Sequence, residues 1–112
     1  MSKEISFKEA CDIIKKSIIE EVYYKRGSQK EMGPYKPKNT DFSTNYGIDN
    51  LEGALIKFVD IKDHSAYCIG IEEWKTNKVI LNGNQIMFER EDDIIERVIF
   101  RKKTTDDYIN II

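Results

Sequence analysis

Asn82-Gly83, set between Val79-Ile80-Leu81 and Ile86-Met87-Phe88, limits what this chain can fold into more than any other short stretch. A tight hairpin loop needs positive φ at its centre, which Asn and Gly tolerate, so the two apolar runs are predicted to pair as antiparallel strands. Four runs have strand character: Ala54 to Ile61, Ala66 to Trp74, Lys78 to Leu81 and Gln85 to Arg90. Lys62-Asp63-His64-Ser65 and Thr76-Asn77 read as turns between them. Isoleucine outnumbers leucine eighteen to three, and an excess of β-branched side chains suits pleated, half-buried strands. The same usage, with its many Lys, Asn and Tyr, fits an AT-rich gene of a low-GC bacterium, a phage or a mobile island. A meander of about four antiparallel strands is the expectation.

The spacing upstream is helical. Ser6 followed by Glu9 forms a capping box, and Gly27 stands where a helix terminator belongs, so a helix is predicted over Ser6 to Arg26. Phe7, Ala10, Cys11, Ile14, Ile18 and Val22 fall on one stripe, with Lys8, Asp12, Lys15, Lys16 and Glu20 mostly opposite. From Gly27 to Asn50 the chain turns polar and carries Pro34 and Pro37, which reads as a long loop spanning 27–50. Leu51 to Phe58 fits a strand or a helix capped by Asn50. Glu91-Asp92-Asp93 followed by Ile94, Ile95, Val98 and Ile99 also fits either, with a short helix favoured by acids at its positive end. Thr105-Asp106-Asp107 looks like the cap of a final turn bearing Tyr108, Ile109, Ile111 and Ile112. The expected fold is therefore α+β, with an N-terminal amphipathic helix on the meander and a short C-terminal helix. At 112 residues it is expected to be one domain, 1–112, burying roughly two thirds of its unfolded surface.

Charge divides the chain. Residues 1–38 carry nine Lys/Arg against six Asp/Glu, and residues 39–112 carry nine against fourteen. The acidic part is a poor match for nucleic acid or an anionic membrane. Lys25, Arg26, Lys30, Lys36 and Lys38, interleaved with Tyr23, Tyr24 and Tyr35, could instead contact phosphates and stack on bases, an alternative that rests on the stretch 25–38. The start MSKEISFKEA lacks an apolar signal core and Cys11 and Cys68 have no metal or redox spacing, so a reducing cytoplasm is expected.

Sites of chemistry are hard to find. His64, the sole histidine, sits in a turn and is read as exposed, leaving no catalytic residue to name. Asp41 to Glu52 resembles a calcium loop of the EF-hand type, with oxygen side chains at the first, third, fifth, ninth and twelfth places. Tyr46 stands where that loop wants glycine, and Pro34 and Pro37 stand where it wants a helix, so an ordinary turn-rich segment is the better reading and no metal is expected. No cofactor is implied. The acids Glu72, Glu73, Glu89, Glu91, Asp92, Asp93 and Glu96 make most sense as an electronegative surface for a basic partner, partly offset by Arg97 four places after Asp93. Trp74 is either a lid on the core or an interface anchor flanked by charge.

A small, acidic-faced α+β domain with Trp74, the Asn82-Gly83 hairpin and the acid run Glu89 to Glu96 resembles the small bacterial immunity proteins of contact-dependent growth inhibition systems. That resemblance implies an antitoxin that binds a cognate toxin domain, a nuclease by its basic charge, and occludes its cleft without catalysis. The implied contact residues are Glu72, Glu73, Trp74, Glu89, Glu91, Asp92 and Asp93.

Overall fold

A computed structural model describes residues 2–46 and 51–103. Ser6 caps a helix as predicted, its Oγ accepting from the Glu9 N–H at 3.0 Å. The helix α1, however, covers only Phe7–Lys15. Ser17 ends it by donating its hydroxyl to the Ile13 carbonyl at 2.6 Å. Beyond Ser17, the side chains of Ile18, Ile19, Val22, Tyr23 and Tyr24 are β-branched or aromatic, and the segment gains more as a strand than as two further helical turns. Replacing Ser6 by Ala should cost about 1 kcal/mol, read as a lower urea midpoint at unchanged slope.

The chain is mostly β and not the expected helix-on-meander α+β domain. Nine strands occur among the described residues: β1 Ser2–Ile5, β2 Ser17–Arg26, β3 Met32–Tyr35, β4 Pro37–Tyr46, β5 Leu51–Asp60, β6 Ala66–Glu72, β7 Thr76–Asn82, β8 Gln85–Arg90 and β9 Ile94–Lys102. They form two antiparallel sheets, one of six strands in the order β1-β7-β8-β9-β2-β3 and one of three in the order β4-β5-β6. The four anticipated strands thus do not share a meander, because the chain changes sheets after β6. The stretch 27–50, read as a loop, supplies β3 and β4 up to Tyr46. Both ambiguous stretches, Leu51–Phe58 and Asp93–Phe100, are strand rather than helix apart from the turn residue Asp93. The final turn expected after Thr105 lies outside the described residues.

The hairpin itself is offset by one residue from its expected centre. Asn82 pairs with Gln85, so the loop is Gly83-Asn84. Gly83 takes φ +60° while Asn84 keeps a negative φ, the pattern of a II′ turn with glycine at its first central place.

Alternation then decides what is inside. Ile86 and Phe88 of β8, Val98 and Phe100 of β9, Val22 of β2, and Ile56 and Phe58 of β5 are buried, and they join Phe7, Ala10, Cys11 and Ile14 of α1 in one core. Phe7 meets Phe88 edge-on at 5.7 Å between centroids. Buried with them, Cys11 has its thiol pushed up to about 11 by desolvation, so it behaves as a small hydrophobe and not as a nucleophile.

Candidate functional site

Two short turns lie at one end of the larger sheet. Glu73–Lys75 is a single 3-10 turn and Glu91–Asp93 a tight turn with left-handed residues, and the pairing of Thr76 with Arg90 puts them at the same end of the β7-β8 hairpin. The first is pinned by the Thr76 hydroxyl, which donates to the Glu72 carbonyl at 2.7 Å. The second is tied to the turn after β2, where the Gly27 N–H donates to the Asp93 carbonyl at 3.0 Å. Asp92 and Asp93 hold φ of 61° and 57°, a left-handed conformation that a short polar side chain tolerates.

Five of the predicted acids are therefore gathered at this end: Glu72, Glu73, Glu91, Asp92 and Asp93. The sixth, Glu89, lies on the outer face of β8 and pairs with Lys78 at 3.7 Å. Glu72 pairs with Lys75 at 3.9 Å. Both pairs are solvent-exposed and weak, and Glu73, Glu91, Asp92 and Asp93 have no ion pair among the described residues.

Trp74 is no lid on the core. It is 70% exposed, far more than any buried apolar residue nearby. Lys75 Nζ stands 4.8 Å from its ring centroid, and the ring borders an open groove of about 900 Å³ that runs past Asn45, Glu52, Leu55 and Gly70. A large aromatic held on a short turn, beside a groove that Glu52, Glu72 and Glu73 also line, can anchor a protein partner with little loss of side-chain entropy.

Glu96 does not belong to that surface, although it follows the acid run by only three positions. It lies on the inward face of β9, opposite Phe88 and Tyr24, and is 1% exposed. Arg90 Nη1 donates to its Oε1 at 2.9 Å. Desolvation nevertheless outweighs the arginine and pushes the Glu96 carboxyl above the usual range. Among the described residues, Arg90 Nε and Glu96 Oε2 have no hydrogen-bond partner. Beside the pair, Tyr35, Phe58 and Tyr67 cluster with centroids 4.7 to 6.2 Å apart, and the Tyr67 hydroxyl donates to Asp63 Oδ2 at 2.8 Å. The sequence signal for a buried acid is the alternation Glu96-x-Val98-x-Phe100, legible only once this stretch is read as a strand.

The basic alternative is dispersed. Lys25, Arg26 and Lys30 surround the turn between β2 and β3, whereas Lys36 and Lys38 lie beyond β3, roughly 13 Å further along the chain. Tyr35, one of the three tyrosines read as possible stacking residues, is engaged in the aromatic cluster, and the Lys36 N–H is bound to buried Asp60 at 2.8 Å. Glu31, in the same stretch, takes a two-point contact from Arg97 at 2.8 and 2.9 Å, which holds its carboxyl below the usual range. Arg97 also lies 4.1 Å over the Tyr23 ring, so this cation is already engaged.

Asp41, Ser43 and Asn45, read as a possible calcium loop, lie along β4 in an extended run. A strand spreads such oxygens about 6 to 7 Å apart instead of wrapping them round one ion. Residues 47–50 of that segment lie outside the described residues. His64 sits exposed in a turn at φ 59°. Among the described residues no helix is long and apolar enough to cross a membrane, and no group of three His, Cys, Asp or Glu side chains could hold a metal ion. Comparison of the chain with family models, curated proteins and solved structures finds no match.

Proposed function

We propose that this protein is a stoichiometric inhibitor of the immunity type, which binds a basic toxin domain through the end of the sandwich that carries Trp74 and covers that domain's active cleft. The observation that supports this most is the 70% exposure of the sole tryptophan at the end of the sheet that carries five carboxylates. Tryptophan is enriched at protein interfaces and among the residues that carry most of their binding energy. Affinity comes from Trp74 and the adjoining groove, while the carboxylates steer the encounter. Occlusion needs no bond-making by this chain, and the partner is a protein of opposite charge.

The test is co-expression with the product of the adjacent open reading frame, in cells whose growth that product arrests. The wild-type chain restores growth. Neutralising the turns by Glu73→Gln, Glu91→Gln, Asp92→Asn and Asp93→Asn should slow association about tenfold at low ionic strength, with the difference shrinking as salt rises. Asn is chosen at 92 and 93 because it accepts their positive φ as Asp does. An association rate indifferent to both charge and salt, or growth that the wild-type chain does not restore, contradicts the proposal.

A further inference from the structure

Among the described residues four strand edges border the two sheets, and three of them are blunted. β1 is four residues long and carries Lys3 and Glu4. β3 is four residues long and contains Pro34, which has no N–H to offer. β4 opens with Pro37, carries Lys38 and Asp41, and departs from regular register twice along β5. These are the usual means of keeping a sheet edge from pairing further. β6 has none of them. It runs seven residues, pairs with β5 without a bulge, contains no proline, and meets its first charge only at Glu72.

An open space also lies beside this edge, next to the contact of Tyr67 with Tyr35. A cavity of about 330 Å³ opens among Tyr67 and Ile69 of β6 and Tyr24, Met32 and Tyr35 of the larger sheet, with Arg90 and Glu96 in its wall. The smaller sheet has three strands, and β6 ends it on this side. Among the described residues nothing pairs with the far side of β6.

We propose that β6 is a docking edge for an extended segment of a partner protein, which adds as a fourth strand antiparallel to β6. Side chains strictly alternate in a strand, so every second residue of the segment points into the cavity, where apolar or aromatic side chains suit Tyr24, Met32 and Tyr35. The backbone N–H and C=O groups of β6 that face away from β5 supply the pairing, as in other cases of strand addition. An antiparallel segment begins beside the end of β6. Its first residues therefore pass Glu72, Glu73 and Trp74, and Lys or Arg is the fitting choice there. The added strand leads directly into the tryptophan surface, so the two form one continuous interface.

This inference rests on the binding role proposed above, but its test does not use the toxin. Isotope-labelled full-length chain is titrated with a synthetic peptide of two lysines followed by six alternating valines and threonines. Slowed amide exchange is expected on alternate residues of β6. Two further peptides carry N-methyl groups on all the valines or on all the threonines. The set that faces β6 should bind at least about tenfold more weakly, because several hydrogen bonds are lost, and the other set should bind as the parent does. Absence of binding at millimolar peptide, equal binding by all three peptides, protection on β1, β3 or β4 instead, or a free chain already dimerised through β6 overturns the inference. Peptide failure with toxin protection intact sinks the edge alone; peptide binding by a chain that protects nothing sinks the inhibitor reading alone.

Discussion

Replacing Glu96 by Ala is expected to lower unfolding stability by about 3 to 5 kcal/mol, because it leaves the guanidinium of Arg90 in the core without its counter-charge. The Arg90 side chain retains 12% exposure against 1% for Glu96, so partial hydration of Arg90 pulls the loss toward the lower figure. Taking out both charges together, as Arg90→Met with Glu96→Leu, should bring stability to within about 1 kcal/mol of wild type or above it, since no buried ion then remains to be desolvated. Urea unfolding of the three proteins decides the matter. A single variant as stable as wild type would mean that the pair is solvated and the interior is not as described.

The same carboxyl gives the pH dependence a definite sign. Its folded pKa lies above the ordinary 4.5 because burial prevails over Arg90. The folded state therefore binds the proton more tightly than the unfolded chain does. The resulting contribution is fully present below the unfolded value and is lost as pH rises through the folded one. Wild-type stability should fall relative to Glu96→Gln across that window. Glu31 has the opposite sign: held down by its hydrogen bonds to Arg97, it stabilises at neutral pH and loses that contribution on acidification.

How far the fold is legible in advance depends on which physical rule governs each stretch. Ser6 and its partner Glu9 are a local matter, and the cap forms where the spacing places it. The helix then fails at Ser17, since Ile18 and Val22 fit a helical stripe and an alternating strand equally well. Only β9, which lies opposite β2 from Ser17↔Lys102 to Arg26↔Ile94, decides between them. β9 is hidden in turn, because three acids before an apolar run look like a helix start, whereas Asp92 and Asp93 in left-handed conformation make the turn into a strand. β3 and β4 escape notice for their prolines and polar residues, which mark edge strands as readily as loops. Of the binding surface, the acids at 72, 73 and 91–93 are visible as charge. Their meeting at one end of the sheet is not, because it depends on the Thr76↔Arg90 pairing. Glu96 reads as a surface acid through the same misreading of β9, and the strand turns it inward.

Trp74→Ala is the second change with a large expected effect, and it separates binding from folding. The ring is 70% exposed, so its removal should alter stability by no more than about 0.5 kcal/mol. If it is the anchor of the interface, the same truncation costs at least about 2 kcal/mol of binding, or roughly 30-fold in Kd. The loss should appear as faster dissociation, with the association rate nearly unchanged, in contrast to neutralising the acidic turns. The most direct measurement is calorimetric titration of wild-type and Trp74→Ala proteins against the product of the adjacent reading frame. A drop in affinity of roughly 30-fold or more at unchanged thermal midpoint is the predicted result. Equal affinity for the two proteins would contradict the placement of the binding surface at this end of the sandwich.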